Sequence, residues 1–287
     1  MNDRALKKAI RTAAYEWNKW MRNPRVLIVG FLVLVVMKIA VEPLKEKADM
    51  MNSAMNIFEP LLAVGNSSIS VLLIPAVYVL LMSDFPAVEP NAMFYFSRTG
   101  KKPWFFGQLM FASLSVITFM TVFSGLVVLG SIKGADISLK WSDGTRLYAA
   151  RFPLAIGNFA HRLLPSNLYN QMSAGKALAY TLSLLSLYLL LLSMVLLVFG
   201  IYGQRKMGII TVYTLMLAGI VCCNLSGSVK WLFPMSHSII WLHFTEVLRK
   251  PIMPPLYSYL YLSVTILALA VIGFFGLRRM NFDRVDK

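Results

Sequence analysis

The residues of widest chemical range in this 287-residue chain are three histidines, His161, His237 and His243, and two adjacent cysteines, Cys222 and Cys223. The cysteines stand side by side in an apolar run. Neither a disulfide framework nor a C-x-x-C metal spacing is available to them, and they read as small buried apolar residues. His237 and His243 are six positions apart, which on one helix puts them on different faces, so a shared metal ion is not expected and satisfied or solvated histidines are. No H-E-x-x-H is present for a metalloprotease, no G-x-S-x-G for a nucleophile elbow, and no acidic cluster for two-metal phosphoryl transfer. No G-x-x-x-x-G-K-[ST] is present for a P-loop, so ATP has no such seat here. The expectation is a chain with no catalytic residue, no metal ligand and no cofactor of its own. Only an assembly of His237, His243 and the outer serines that spacing does not reveal would make it an enzyme.

What must position any site is a set of membrane helices. Hydrophobic residues make up 57% of the chain and charged ones 14%, with a mean hydropathy of +0.64, far from the balance of a water-soluble domain. The formal charge of +15 would suggest nucleic acid in a soluble chain; here it suggests membrane topology, and no nucleic-acid partner is expected. A helix crossing the hydrocarbon needs about 20 mostly apolar residues. Six stretches meet that need, at about 26–41, 60–83, 103–132, 177–201, 207–229 and 256–277, and the first is interrupted only by Lys38, whose ammonium can snorkel. Pro75 should kink the second span in its middle. The expected fold is an all-α integral membrane protein of six transmembrane helices.

Arg4, Lys7, Lys8, Arg11, Lys19, Arg22 and Arg25 hold residues 1–25 in the cytoplasm under the positive-inside rule, and six spans return the 278–287 tail there. The segment from Lys133 to Lys176 is the awkward piece, because it is basic and falls outside in this topology. A cleaved signal peptide is not expected, since the charged start is long and holds Trp17 and Trp20.

Leu6, Ile10, Ala13, Trp17 and Trp20 recur at helical spacing among cations, the pattern of an amphipathic helix at the membrane surface, and Asn23-Pro24 then breaks the chain. Between the second and third spans, Pro86 and Pro90 stop the helix and Glu89-Pro90-Asn91 offers a new start. Met93, Phe94 and Phe96 follow, then Arg98, Lys101 and Lys102; the aromatics serve either a cytoplasmic partner or the headgroup belt. On the outer side, Glu42–Glu59 puts Leu44, Ala48, Met51, Met55 and Phe58 near one face, and Leu147–Leu164 is amphipathic. Trp231–Thr245, uncharged but too short to span and interrupted by Pro234, reads as a re-entrant or interfacial helical pair. Embedded polar residues such as Asn66, Ser115, Thr118 and Thr181 are expected to serve helix packing.

This layout resembles the membrane subunits of ATP-binding-cassette exporters of the ABC-two, or type V, kind. The features that carry it are the helix from Arg4 to Arg22 running into the first span through RNPRVL, the six spans with both ends inside, the loop ending SRTGKKPWFFGQL, and the short outer pair before the last span. The resemblance implies that Leu6, Ile10, Trp17 and Trp20 belong to an elbow helix. It also implies that Glu89, Asn91, Met93, Phe94, Phe96 and Arg98 form a coupling helix that docks on a separate cytoplasmic P-loop ATPase, which holds the ATP and magnesium. A second copy or related permease would complete the transporter in a bacterial plasma membrane. The cargo would be a hydrophobic or amphipathic compound, such as an antimicrobial peptide or toxin, in antibiotic resistance or immunity. The different reading is a non-transporting membrane adaptor that binds a cytoplasmic partner through residues 89–102.

Overall fold

Long apolar runs become helices because, away from water, a backbone must satisfy its polar groups within itself. The protein is seen in a computed structural model that describes residues 3–67, 70–86, 99–153, 159–225, 227–245 and 251–278. Among these, five helices are long and apolar enough to cross a membrane. They are α2 (Pro24–Met50), α5 (Lys101–Ser131), α10 (Ala174–Ile201), α11 (Arg205–Cys223) and α13 (Pro255–Gly276). The shorter elements are α1 (Asp3–Met21), α3 (Glu59–Asn66), α4 (Leu73–Leu81), α6 (Asp143–Arg146), α7 (Tyr148–Arg151), α8 (Phe159–Arg162), α9 (Ser166–Tyr169) and α12 (Pro234–Ser238). Three-residue to five-residue 3-10 turns occupy Ser70–Leu72, Ser228–Leu232 and Ile240–His243.

The centre is α10. It is apolar all round, and Leu184, Leu185, Tyr188, Leu189, Leu192 and Leu197 are buried, as a helix of that pattern must be. The helices around it bury one side only. On α13, Ser258, Leu262, Gly273 and Gly276 face inward while Leu256, Leu260, Val264, Leu267 and Val271 form an exposed stripe. Leu27, Phe31 and Leu34 on α2 and Met207, Ile210, Leu217 and Val221 on α11 are exposed in the same way. Apolar surface so extensive is stable in lipid and costly in water.

The stretch expected as one span at 60–83 is not one helix. It is the pair α3 and α4, separated after Asn66, and Pro75 lies in the first turn of α4, where its missing N–H costs little. The interruption therefore falls earlier than the kink expected at Pro75. The first helix also runs past the expected boundary at 41: it passes through a π-helical segment, Met37–Val41, and continues to Met50, while exposed Lys38 pairs with Glu42 at 2.7 Å. The expected amphipathic stretch 147–164 is divided among short helices, with 154–158 outside the described residues.

α1 packs along α5 through its small residues and its two tryptophans, and leaves the first two residues of its apolar stripe uncovered. Its buried residues are Ala9, Thr12, Ala13 and Glu16, whereas Leu6 and Ile10 stay exposed. Gly107 permits this approach, because a Cβ there would come within 2.6 Å of Thr12 Cβ. Trp17 and Trp20 bridge the two faces: Trp17 Nε1 donates to Thr118 Oγ1 at 3.0 Å, and Trp20 Nε1 to Leu81 O at 3.1 Å.

At the opposite end of the bundle the short strands β1 (Met55–Asn56) and β2 (Ala135–Asp136) pair in parallel, with Met55 opposite Ala135. Glu59 Oε1 accepts from Ser142 N at 2.8 Å and Oε2 from Ser142 Oγ at 2.9 Å, tying the start of α3 to α6. Lys47 is buried beside them, its ammonium 5.1 Å from the centroid of the Tyr148 ring.

Candidate functional site

Two polar assemblies stand at opposite ends of the bundle. The first lies at the α1 end, where the chain leaves α4 and returns into α5. Arg25 Nη1 meets Asp84 Oδ2 at 2.5 Å and Ser83 Oγ at 2.8 Å, and Arg205 Nη2 donates to Asp84 O at 2.5 Å. Three elements thus meet at Asp84: the start of α2, the end of α4 and the start of α11. An open cavity of about 230 Å³ adjoins them, lined by Glu16, Trp20, Asp84, Phe85, Phe111 and Arg205 among others. Glu89, Asn91, Met93, Phe94, Phe96 and Arg98 belong to residues 87–98 and lie outside the described residues. Of the elbow residues, Leu6 and Ile10 are exposed, and Trp17 and Trp20 are held between α1 and its neighbours.

The second assembly joins the short turns of 228–243 to the bundle. Asn66, fully buried at the end of α3, uses every polar group it has. Its Nδ2 donates to Leu62 O at 3.0 Å and to Thr181 Oγ1 at 2.8 Å; its Oδ1 accepts from Ile240 N at 3.1 Å, and its backbone O from Trp241 Nε1 at 2.6 Å. An asparagine that binds backbone groups competes with helix continuation, and here it turns the last carbonyls of α3 toward the 240–243 turn. Gly65 lets α10 come close, since a Cβ at that position would lie 2.5 Å from Thr181 Cγ2.

Beside Asn66's partners, His237 and His243 converge. They are 1% and 0% exposed, and each puts one ring nitrogen on Ser258 Oγ of α13, His237 Nδ1 at 2.8 Å and His243 Nε2 at 2.7 Å. The expectation of different faces assumed one helix. Instead α12 ends at Ser238, the chain extends at Ile239, and a 3-10 turn begins, which brings the second ring back to the first. Burial pushes both imidazoles below the usual range, His243 to about 4, against the pull of their carbonyl hydrogen bonds. The expected re-entrant or interfacial pair is a helix of five residues and a 3-10 turn, both buried, preceded by an exposed 3-10 turn at Ser228–Leu232.

A third group, Tyr78 with Ser115 and Ser193 at 2.9 and 2.7 Å, links α4, α5 and α10 in the core, where packing hydroxyls were expected. Among the described residues no group of three or more His, Cys, Asp or Glu could hold a metal ion. Cys223 is a buried free thiol whose Sγ lies 3.3 Å from Ser236 Oγ.

The fold and these assemblies define a helical membrane protein. No known protein family, characterised protein or solved structure matches the chain. Sequence spacing missed Ser258 and the meeting of the histidines; the one available signal was a serine in the first turn of a span whose partners had no other role.

Proposed function

We propose that the chain is the membrane-spanning permease subunit of an ATP-binding-cassette exporter of the ABC-two, or type V, kind. In this reading α2, the α3–α4 pair, α5, α10, α11 and α13 make six crossings, with both termini in the cytoplasm of a bacterial cell. Discontinuous helices are tolerated at membrane depth where protein buries them, and buried Asn66 meets that condition. A second permease half and a separate P-loop ATPase complete the machine, and ATP with magnesium belongs to that partner. The cargo class is a hydrophobic or amphipathic compound, an antimicrobial peptide or toxin among them.

The observation that carries the reading is the joint at Asp84. The segment that would receive the ATPase begins three residues beyond Asp84, whose carboxylate is held by Arg25 and whose carbonyl is held by Arg205. A displacement of 87–98 would therefore reach α2, α4 and α11 together rather than one helix alone. Such ion pairs are exposed and add little to stability, so their value lies in geometry.

The test is purification of the chain from its native membrane with identification of what accompanies it by mass spectrometry. A stoichiometric P-loop ATPase is expected, together with a second permease copy or paralogue. Glu89→Ala, Phe94→Ala and Phe96→Ala should each uncouple ATP hydrolysis from transport while the chain stays inserted. If no ATPase accompanies the chain, or all three variants keep transport-stimulated hydrolysis, the reading is wrong.

A further inference from the structure

Ser258 carries one hydroxyl proton and faces two ring nitrogens. The far nitrogen of each ring is already committed: His237 Nε2 lies 2.9 Å from Trp231 O, and His243 Nδ1 lies 3.1 Å from Ile239 O. A carbonyl only accepts, so both of those nitrogens carry hydrogen. In a neutral imidazole the other nitrogen is then a bare acceptor. His237 Nδ1 and His243 Nε2 are therefore two acceptors competing for the single hydroxyl hydrogen of Ser258. Whichever loses faces an oxygen lone pair at hydrogen-bond distance with no hydrogen between. Changing a tautomer only moves the defect to the half-buried Trp231 O or the buried Ile239 O, where a ring nitrogen would face a carbonyl oxygen with no hydrogen between them.

One added proton removes the conflict. His237 Nε2–H donates to Trp231 O, the Ser258 hydroxyl donates to His237 Nδ1, and a protonated His243 donates through Nε2 to Ser258 Oγ and through Nδ1 to Ile239 O. The mirror arrangement, with the charge on His237, is equally complete. Every ring nitrogen of the pair and the Ser258 hydroxyl hydrogen are then paired. A second proton would put two cations on one buried oxygen.

We propose that His237, Ser258 and His243 form a buried binding site for a single proton, held as an imidazolium bridged through the serine hydroxyl, which ties the 228–243 turns to the first turn of α13. Aromatic faces suit the cation: the Tyr261 ring stacks on His237 with centroids 4.1 Å apart, and the Trp231 ring lies 5.5 Å from His237 and 4.9 Å from His243. The charged and titratable groups turned toward the pair are few. Lys230, in the preceding turn, sits over Trp231 at 5.4 Å and opposes the charge; Tyr261 of α13 donates its hydroxyl to Leu232 O; Cys223 of α11 is engaged with Ser236. Neutral Asn167 of α9 reaches Phe244 O, α10 brings Tyr180 against Tyr259, and no carboxylate bonds either ring among the described residues. The site stands on this hydrogen-bond accounting and not on the permease reading.

The experiment is an NMR titration of the full chain, labelled with 15N-histidine and held in lipid nanodiscs, from about pH 8 to about pH 4 across the ordinary imidazole range. The wild-type pair should take up its protons in two steps more than about one pH unit apart, as interacting sites do. His243→Gln supplies an amide N–H donor to Ser258 without a proton. In that variant the upper step should vanish, and His237 should titrate once, at least about one unit below the wild-type upper step. Should His243→Gln fail to fold, Ser258→Ala removes the bridge, and the two steps should merge and move down. The proposal is overturned if both wild-type rings stay neutral until the lower step, or if His237 titrates alike in the wild type and in whichever of the two variants folds.

Discussion

Asn66→Ala removes the side chain on which the α3 end, α10 and the 240–243 turn all depend. Thr181 Oγ1 loses the donor Asn66 Nδ2 but keeps its own hydroxyl hydrogen for the carbonyl four residues before it, so that loss is near the average of about 0.6 kcal/mol for interhelical bonds in membranes. Ile240 N has no such recourse. It is the amide of a fully buried residue and donates to Asn66 Oδ1 at 3.1 Å, so its desolvation cost of about 1–3 kcal/mol falls due. The sum is about 1.6–3.6 kcal/mol, a large part of a marginal stability. Reversible unfolding in mixed detergent micelles, followed by tryptophan fluorescence with Trp241 as the local reporter, measures it. Thr181→Val supplies the second corner of a double-mutant cycle, in which a coupling of about 0.5 kcal/mol or more is expected for residues in direct contact. A loss below about 0.5 kcal/mol for Asn66→Ala, the range of an ordinary surface change, would refute the claim that this side chain anchors the broken helix.

Acid should weaken the fold. Two unfolded histidines each titrate near about 6.5, whereas the folded pair, already holding one proton, is held by burial and by the neighbouring imidazolium to about 4 for the second, at His243, so between these values the unfolded state binds more protons and stability falls as pH falls. For this group the loss is roughly 3 kcal/mol and is complete near the lower value, which unfolding curves at stepped pH will show. Tyr78→Phe should cost under about 1 kcal/mol, because Ser115 and Ser193 also reach the Ala112 and Leu189 carbonyls of their own helices; a thermal unfolding shift exceeding that would mean the tyrosine hydroxyl organises the core. Gly107→Leu forces α1 off α5 and should cost about 1–3 kcal/mol by overpacking, with enhanced proteolysis of residues 3–21 as the readout. An unchanged digestion pattern would show that α1 does not depend on that approach.

The sequence by itself determined that this is an all-α membrane protein, since long runs free of charge admit few other structures. It placed the five helices that are long and apolar enough to cross a membrane to within a turn or so at most ends, the helix at Asp3–Met21, and the role of Thr118 and Thr181 as packing hydroxyls. These are local properties, carried by composition and period within one segment. Only the tertiary structure decided that the 60–83 run breaks after Asn66, because the groups that capture its carbonyl and side chain come from positions 240 and 241, and no local pattern encodes them. It likewise chose which part of α1 is buried: Ala9, Thr12 and Ala13 fit against α5 at Gly107, while Leu6 and Ile10 of the apolar stripe stay exposed, where lipid can cover them equally well. The histidine pair is the clearest case. Six residues apart on a helix the rings diverge, but a chain that ends one helix at Ser238, extends at Ile239 and turns again at Ile240 brings both onto one oxygen of a third segment. That convergence depends on where helices stop, and helices stop where distant partners satisfy their last carbonyls.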